Sequence, residues 1–120
     1  MDAFTKAFIT AMFFTEEGED NLKETTVADI SKELMERIER ECGEFQTTNA
    51  HLFTSENCFY TGCPVVEYAG HDFWLTRNGH GCGFWDGDWE ERVGEILTAS
   101  AKSFGELSVY LGDDGKIYGM

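Results

Sequence analysis

The segment from His71 to Asp86, HDFWLTRNGHGCGFWD, places Asn78-Gly79 between two runs of β-forming residues. An Asn-Gly pair in that setting is the strongest short-range signal for a β-hairpin, because both residues accept the positive φ that a type I′ turn requires. If the pair forms a two-residue turn, the residues that share the inner, apolar side are Phe73, Leu75, Cys82 and Phe84. The segment therefore predicts an antiparallel hairpin with its inner side in the core.

The outer side of this predicted hairpin carries Trp74 and Trp85 around Gly81 and Gly83. Glycines in strands leave a trough that another backbone or an aromatic ligand can approach closely. The alternative is that both indoles cover the glycines within the protein or pack beneath a helix.

Helices are predicted on both sides of this hairpin. Small and aromatic residues recur at spacings of three and four over residues 2–14, which predicts a helix. Phe4, Phe8, Met12 and Phe14 also all lie at even positions and would share one side of a strand, so a strand is the alternative. Thr26 and Asp29 form a capping-box pattern before a second helix, for which Gly43 is the expected stop. Residues 44–69 predict a loop with one short strand at 65–68.

Asp88 and Glu91 form another capping-box pattern, which predicts a helix ending before Gly105. Asp114-Gly115 then predicts a second hairpin over residues 107–120. The expected fold is a single α+β domain over residues 1–120, with an antiparallel sheet from two hairpins and two or three helices packed on one face. A strand at residues 2–14 would instead give a ferredoxin-like arrangement.

The formal net charge of −14 excludes several kinds of partner. Affinity for nucleic acids and for anionic membranes depends on clustered Lys and Arg, which this chain lacks, so we expect no direct binding to either. Carboxylates can instead mimic the charge of DNA toward a basic protein groove. Two acidic segments suit that role: Glu16, Glu17, Glu19, Asp20 and Glu24, and separately Asp86, Asp88, Glu90 and Glu91.

No export signal or spanning segment is evident, so we expect a cytoplasmic protein with reduced cysteines. Cys58-x4-Cys63 and His80-x-Cys82 contain zinc-ligand residue types but lack a C-x2-C spacing, so neither a metal nor another cofactor is predicted. His71 and His80 lie at opposite ends of a predicted strand roughly 23 Å long, too far apart for one reaction centre.

The run HDFWLTRNGHGCGFWD, a helix ending in AKSFG and the later VYLGDDGKIY resemble a family of small phage-encoded proteins with no established activity. The resemblance covers the C-terminal half closely and the N-terminal half loosely. It implies a bacteriophage product inside a bacterial host cell, where small acidic phage proteins commonly bind host machinery, including defence nucleases.

The sequence therefore predicts a binding protein and not an enzyme. Its expected partner is a host or phage protein, such as a DNA-handling enzyme that it inhibits by mimicking nucleic-acid charge, and the sequence leaves its oligomeric state open. The predicted contact residues are Asp72, Trp74, Arg77, Trp85, Asp86, Asp88, Glu90 and Glu91. The alternatives are a small hydrolase or ligand-binding enzyme centred on His71, Asp72 and Asp86, and a homo-oligomer formed through hairpin edges.

Overall fold

Four α-helices and one short β-hairpin form the described part of the chain, residues 1–17, 22 and 24–120 of a computed structural model. The helices are α1 (Ala3–Glu17), α2 (Lys32–Asn49), α3 (Val65–Asn78) and α4 (Glu91–Lys102). The strands are β1 (Val109–Leu111) and β2 (Ile117–Gly119), and short 3-10 helices cover Val27–Asp29 and Ala50–Leu52. The fold class is α+β, as expected, and helices make up most of it.

The predicted hairpin at residues 71–86 is wrong, because its first half is the end of α3. Asn78 is the last helical residue, and Gly79 follows it in the left-handed conformation with φ 65°. The His80 N–H then bonds to the Leu75 carbonyl at 3.4 Å, which is the bond that closes a helix C-terminus around a left-handed glycine. A hairpin turn and a helix stop use the same glycine conformation, so Asn78-Gly79 is compatible with both.

Helices α1 and α3 pack closely along each other, and Gly70 is the point of closest approach. A Cβ atom at Gly70 would lie 2.3 Å from the Phe4 carbonyl oxygen, so only glycine fits there. Farther along the pair, the Trp74 indole Nε1 donates to Thr15 Oγ1 at 2.8 Å. Trp74 is 0% exposed, and its ring packs edge-on against Phe8.

Stacked phenylalanine rings fill the core between α1, α2 and α3. The rings of Phe45 and Phe73 stack with centroids 4.2 Å apart, and Phe4 and Phe84 lie against Phe45 at 5.8 and 5.7 Å. Aromatic pairs at such distances add about 0.5–1.5 kcal/mol each beyond their buried area. Phe73 and Phe84 are therefore buried as expected, although the hairpin that was predicted to pair them does not form.

Outside residues 71–86, some of the helix predictions are confirmed and others are wrong. The helix at residues 2–14 is confirmed, while the strand alternative and the ferredoxin-like order that depended on it are wrong. The capping-box pair of Thr26 and Asp29 caps only the short helix Val27–Asp29, and α2 begins after Ser31, whose hydroxyl accepts the Leu34 N–H at 3.2 Å. Helix α2 continues through Gly43 to Asn49, and the strand predicted at 65–68 is the first turn of α3.

The C-terminal hairpin is confirmed. Strands β1 and β2 pair antiparallel with Tyr110 opposite Tyr118, and Gly115 takes the positive φ (81°) that its turn needs. In the described residues the sheet has these two strands only, so the expected sheet of two hairpins does not form.

Part of the first acidic segment, Glu19 and Asp20, lies outside the described residues. No helix in the described ranges has the length and apolar character needed to cross a membrane.

Candidate functional site

Residues 79–90, here called the glycine loop, fold back onto α3 and carry four of the eight predicted contact residues. The Phe84 N–H donates to Thr76 Oγ1 at 3.1 Å, and the Phe84 side chain is buried in the core. A Cβ atom at Gly83 would lie 2.3 Å from Thr76 Oγ1, so the loop approaches α3 this closely only with glycine there. Burial of Phe84 directs the next side chain, Trp85, into solvent.

The far end of the glycine loop is held by the segment before α3. The Phe59 N–H donates to the Asp88 carbonyl and the Glu90 N–H donates to the Asn57 carbonyl, both at 2.7 Å. The indole Nε1 of Trp89 also donates to Asp72 Oδ2 at 2.8 Å. The exposed residues between these anchors are therefore presented on a fixed loop.

Three of the eight predicted contact residues are buried and cannot form a surface in this structure. Trp74 and Asp72 are held by the hydrogen bonds given above. Arg77 makes an ion pair with Glu41 at 2.7 Å and donates from Nε to the Gly105 carbonyl at 2.8 Å. The outward positions predicted for Asp72 and Trp74 are wrong, and Arg77, predicted as a contact residue at the turn, is buried as well, because a helix turns Trp74 toward α1 and Arg77 toward α2.

Two more of the predicted residues are engaged in local structure. Asp88 accepts a short hydrogen bond from the Tyr68 hydroxyl, which joins the glycine loop to α3. Glu90 is the N-cap of α4, where its carboxylate accepts the Val93 N–H at 3.1 Å.

Trp85 and Glu91 border a surface depression of about 330 Å³. We call it the Trp85 depression, and it is lined by Phe84, Trp85, Gly87, Trp89, Glu91, Gly94 and Glu95. Trp85 is 51% exposed, and both Glu91 and Glu95 are exposed on α4. This is the part of the predicted acidic and aromatic surface that the structure brings together.

Gly94 lets the glycine loop sit against α4 beneath this depression. A Cβ atom there would lie 2.6 Å from the Phe84 carbonyl oxygen. Two neighbouring residues of α4 are not among the predicted contact residues. Glu95 lies one helical turn after Glu91, a spacing that could have revealed it. The other is Ile96, an apolar side chain that is 52% exposed.

A larger cavity of about 880 Å³ opens on the other side of the glycine loop, against α1 and α3. It brings together His71, Asp72 and Asp86, the three residues of the alternative enzyme prediction. Its lining is Thr10, Ala11, Phe14, Thr15, Tyr68, His71, Asp72, Leu75, His80, Cys82 and Asp86. The contribution of α1 was not predicted, because the sequence gives no signal for which helices pair.

Asp72 is the most perturbed acid in this cavity. Burial raises its pKa from 3.8 to about 7, the Trp89 hydrogen bond opposes the rise, and the negative charges of Asp86 and Asp88 add to it. The neighbouring His71 has its pKa lowered by burial, although Glu67 opposes that shift. Near neutral pH, His71 is therefore an uncharged imidazole and Asp72 is close to its titration midpoint.

The two histidines separated in the hairpin prediction both line this cavity. The chain turns at Gly79 instead of continuing as a strand, so His80 returns to stack on Trp74 with ring centroids 6.2 Å apart. Its Nε2 atom is buried without a hydrogen-bond partner. Cys82 is a free thiol whose pKa is raised by burial and by Asp86 and Asp72, so it is not activated as a nucleophile.

No protein-family model, curated protein or solved structure matches this chain. The resemblance to small phage-encoded proteins therefore stays a prediction. In residues 1–17, 22 and 24–120, no three His, Cys, Asp or Glu side chains are grouped closely enough to hold a metal ion.

Proposed function

We propose that this chain acts by binding another protein, and that the Trp85 depression is the contact surface. The half-exposed indole of Trp85, presented on an anchored loop, carries the proposal. Tryptophan is among the residues that contribute most to protein interfaces when truncated, and clusters of such residues are surrounded by weaker polar contacts. Glu91 and Glu95 supply that polar border.

The charge of the chain defines the chemistry of the partner. Glu91 and Glu95 add a local negative field to a chain of net charge −14, which favours a partner surface rich in Arg and Lys. An Arg guanidinium can also stack on the face of an exposed indole, at a gain of about 0.5–1 kcal/mol. The expected contact is therefore an Arg-bearing basic surface.

DNA-handling enzymes carry basic surfaces of this kind because duplex DNA is densely negative. The resemblance to phage-encoded proteins implies that such an enzyme would be a host or phage protein in the bacterial cytoplasm. The chain would act there as an inhibitor that occupies the nucleic-acid groove.

Two charge-matched double variants test this proposal. Glu91→Gln with Glu95→Gln removes two charges from the Trp85 depression, and Glu36→Gln with Glu39→Gln removes two from the exposed side of α2. Each brings the net charge from −14 to −12. The wild-type chain and both variants are immobilised and used to capture proteins from a bacterial lysate, with quantification by mass spectrometry.

We expect a small set of proteins to be captured by the wild-type chain and the α2 variant and to be lost from the depression variant. Duplex DNA added to the lysate should displace that set if the partner uses its DNA-binding surface. Equal capture by both variants would show that binding follows overall charge and would overturn the proposal.

A further inference from the structure

The cavity between α1, α3 and the glycine loop has the size of a small-molecule site. Its volume of about 880 Å³ lies within the range of roughly 300–1,000 Å³ that such sites occupy. It is separate from the Trp85 depression, with which it shares no lining residue.

One wall of the cavity is apolar and includes Phe14, which does not pack into the core. Ala11, Leu75 and the ring of Tyr68 contribute to this wall, and Phe14 stands at its edge with 81% of its surface exposed. A large apolar side chain left in solvent beside a cavity provides contact area for a ligand with an apolar or aromatic body.

The polar side of the cavity holds two carboxyl groups without a matching cation. Asp72 is 2% exposed, and the Trp89 indole is the hydrogen-bond partner that fixes its Oδ2. Asp86 stands in the same lining, and no described lining residue is Lys or Arg. A buried carboxylate without a countercharge is costly, so a bound cation would gain more from Asp72 than from an exposed acid.

The same cavity contains a second acceptor. His80 Nε2 is buried in the lining without a hydrogen-bond partner. An unprotonated imidazole nitrogen accepts one N–H, so an ammonium or amidinium group has N–H donors for both His80 and Asp72.

We propose that this cavity binds a small organic cation in which an ammonium or amidinium head group faces Asp72 and an apolar or aromatic body lies against Phe14 and Leu75. An anion of the same shape is opposed by Asp72 and Asp86. A bare metal ion is not favoured, because the described residues hold no group of three metal-ligand side chains.

Titration of the isotope-labelled protein with phenethylammonium, followed by amide chemical shifts, tests this proposal. Phenethyl alcohol and phenylacetate are the neutral and anionic probes of matching shape. For a probe of this size we expect a Kd in the millimolar range. Shift changes should be confined to α1, α3 and the glycine loop, and the neutral and anionic probes should bind at least tenfold more weakly.

Two pairs of variants test which residues contact the bound phenethylammonium. Asp72→Asn keeps an oxygen for the Trp89 hydrogen bond and should weaken phenethylammonium binding at least tenfold, whereas Asp113→Asn removes a charge from an exposed turn and should change it less than twofold. Phe14→Ala costs no core contact and should weaken binding about threefold, with the exposed Phe59→Ala as its control.

Equal binding of the three probes, equal effects of Asp72→Asn and Asp113→Asn, or no shift changes at millimolar phenethylammonium would each overturn the proposal. These results concern probe binding in the cavity, and the Trp85 depression is tested separately by the Glu91 and Glu95 variants, which lie outside the cavity.

Discussion

The indole Nε1 of Trp89 donates a 2.8 Å hydrogen bond to Asp72 Oδ2, and this bond joins the glycine loop to the centre of α3. It fixes the carboxylate in the cavity on one side of the loop. On the other side, Trp89 itself lines the depression in which Trp85 stands. The two candidate sites therefore share one structural support without sharing a contact residue.

The close approach of α1 and α3 gives the first prediction. In Gly70→Ala the new methyl group would meet the Phe4 carbonyl oxygen at 2.3 Å, so we expect the free energy of unfolding to fall by about 1–3 kcal/mol. Gly43 lies in α2 with nothing within 4 Å of its Cβ position, so Gly43→Ala should raise stability by up to about 1 kcal/mol. Urea denaturation of both variants measures the difference. If both substitutions stabilised the chain equally, the close contact between α1 and α3 at Gly70 would be contradicted.

Asp72 should make stability depend on pH. Its pKa is raised from 3.8 to about 7 in the folded chain, so the folded state binds this proton more tightly than the unfolded state. The resulting stabilisation is complete below pH 3.8 and is lost as the pH rises to about 7. Asp72→Asn should therefore gain stability relative to the wild-type chain over this window, by a few kcal/mol at most.

Denaturation of both proteins at a series of pH values between about 4 and 8 measures this gain. The titratable groups near Asp72 are Tyr68 and His71 of α3, Cys58 and Cys63 of the segment before α3, and His80, Cys82, Asp86 and Asp88 of the glycine loop. They are unchanged in the variant, so the difference between the two proteins reports Asp72 together with its coupling to these groups. A difference that stays constant with pH would show that the carboxyl has an ordinary pKa.

Arg77 should contribute to the stability of the fold and not to a contact with a partner. Its side chain is fully buried against Glu41 and lies over the Phe73 and Phe104 rings at 5.1 and 5.6 Å. Arg77→Met leaves Glu41 Oε1 without its partner while Oε2 keeps its 3.0 Å ion pair with Arg37, so we expect a loss at the lower end of the roughly 3–5 kcal/mol that breaking a buried pair costs. Adding Glu41→Gln should recover part of that loss. A loss below about 1 kcal/mol in thermal or urea unfolding would indicate an exposed arginine.

The three tryptophans should differ in access to solvent. Trp74 and Trp89 are buried and Trp85 is half-exposed, so the neutral quencher acrylamide should quench mainly the fluorescence of Trp85. Trp85→Phe should remove most of the quenchable emission, and Trp74→Phe should leave it nearly unchanged. Similar losses in both variants would agree with the hairpin prediction, in which both indoles share one outer side.

The elements that were predicted correctly are those in which apolar residues recur on one side. Helices α1 and α4 each bury a stripe of apolar residues, and apolar and polar residues alternate on both sides of the Asp114-Gly115 turn. Helix α3 buries positions at the same spacing as α1, but its buried side includes Asp72, Thr76 and Arg77, so the sequence shows no clear apolar stripe. Its β-forming side chains and the following Asn-Gly pair then favoured a hairpin.

The candidate site was predicted in part for the same reason. Trp85, Asp86 and Glu91 lie in the loop and at the start of α4, where exposure does not depend on the choice between hairpin and helix. The outward positions expected for Trp74 and Asp72 did depend on that choice. The cavity could not be predicted, because its α1 wall is set by tertiary packing.

Truncation of Trp85 tests the proposed binding surface most directly. Trp85→Ala and Tyr110→Ala each remove an exposed aromatic ring, and the second lies on the C-terminal hairpin outside the depression. In quantitative capture from bacterial lysate, we expect Trp85→Ala to retain at least tenfold less of the wild-type partner, as for an interface residue worth about 2 kcal/mol. Tyr110→Ala should retain it fully. Equal retention of the same proteins by both variants would contradict a contact role for Trp85.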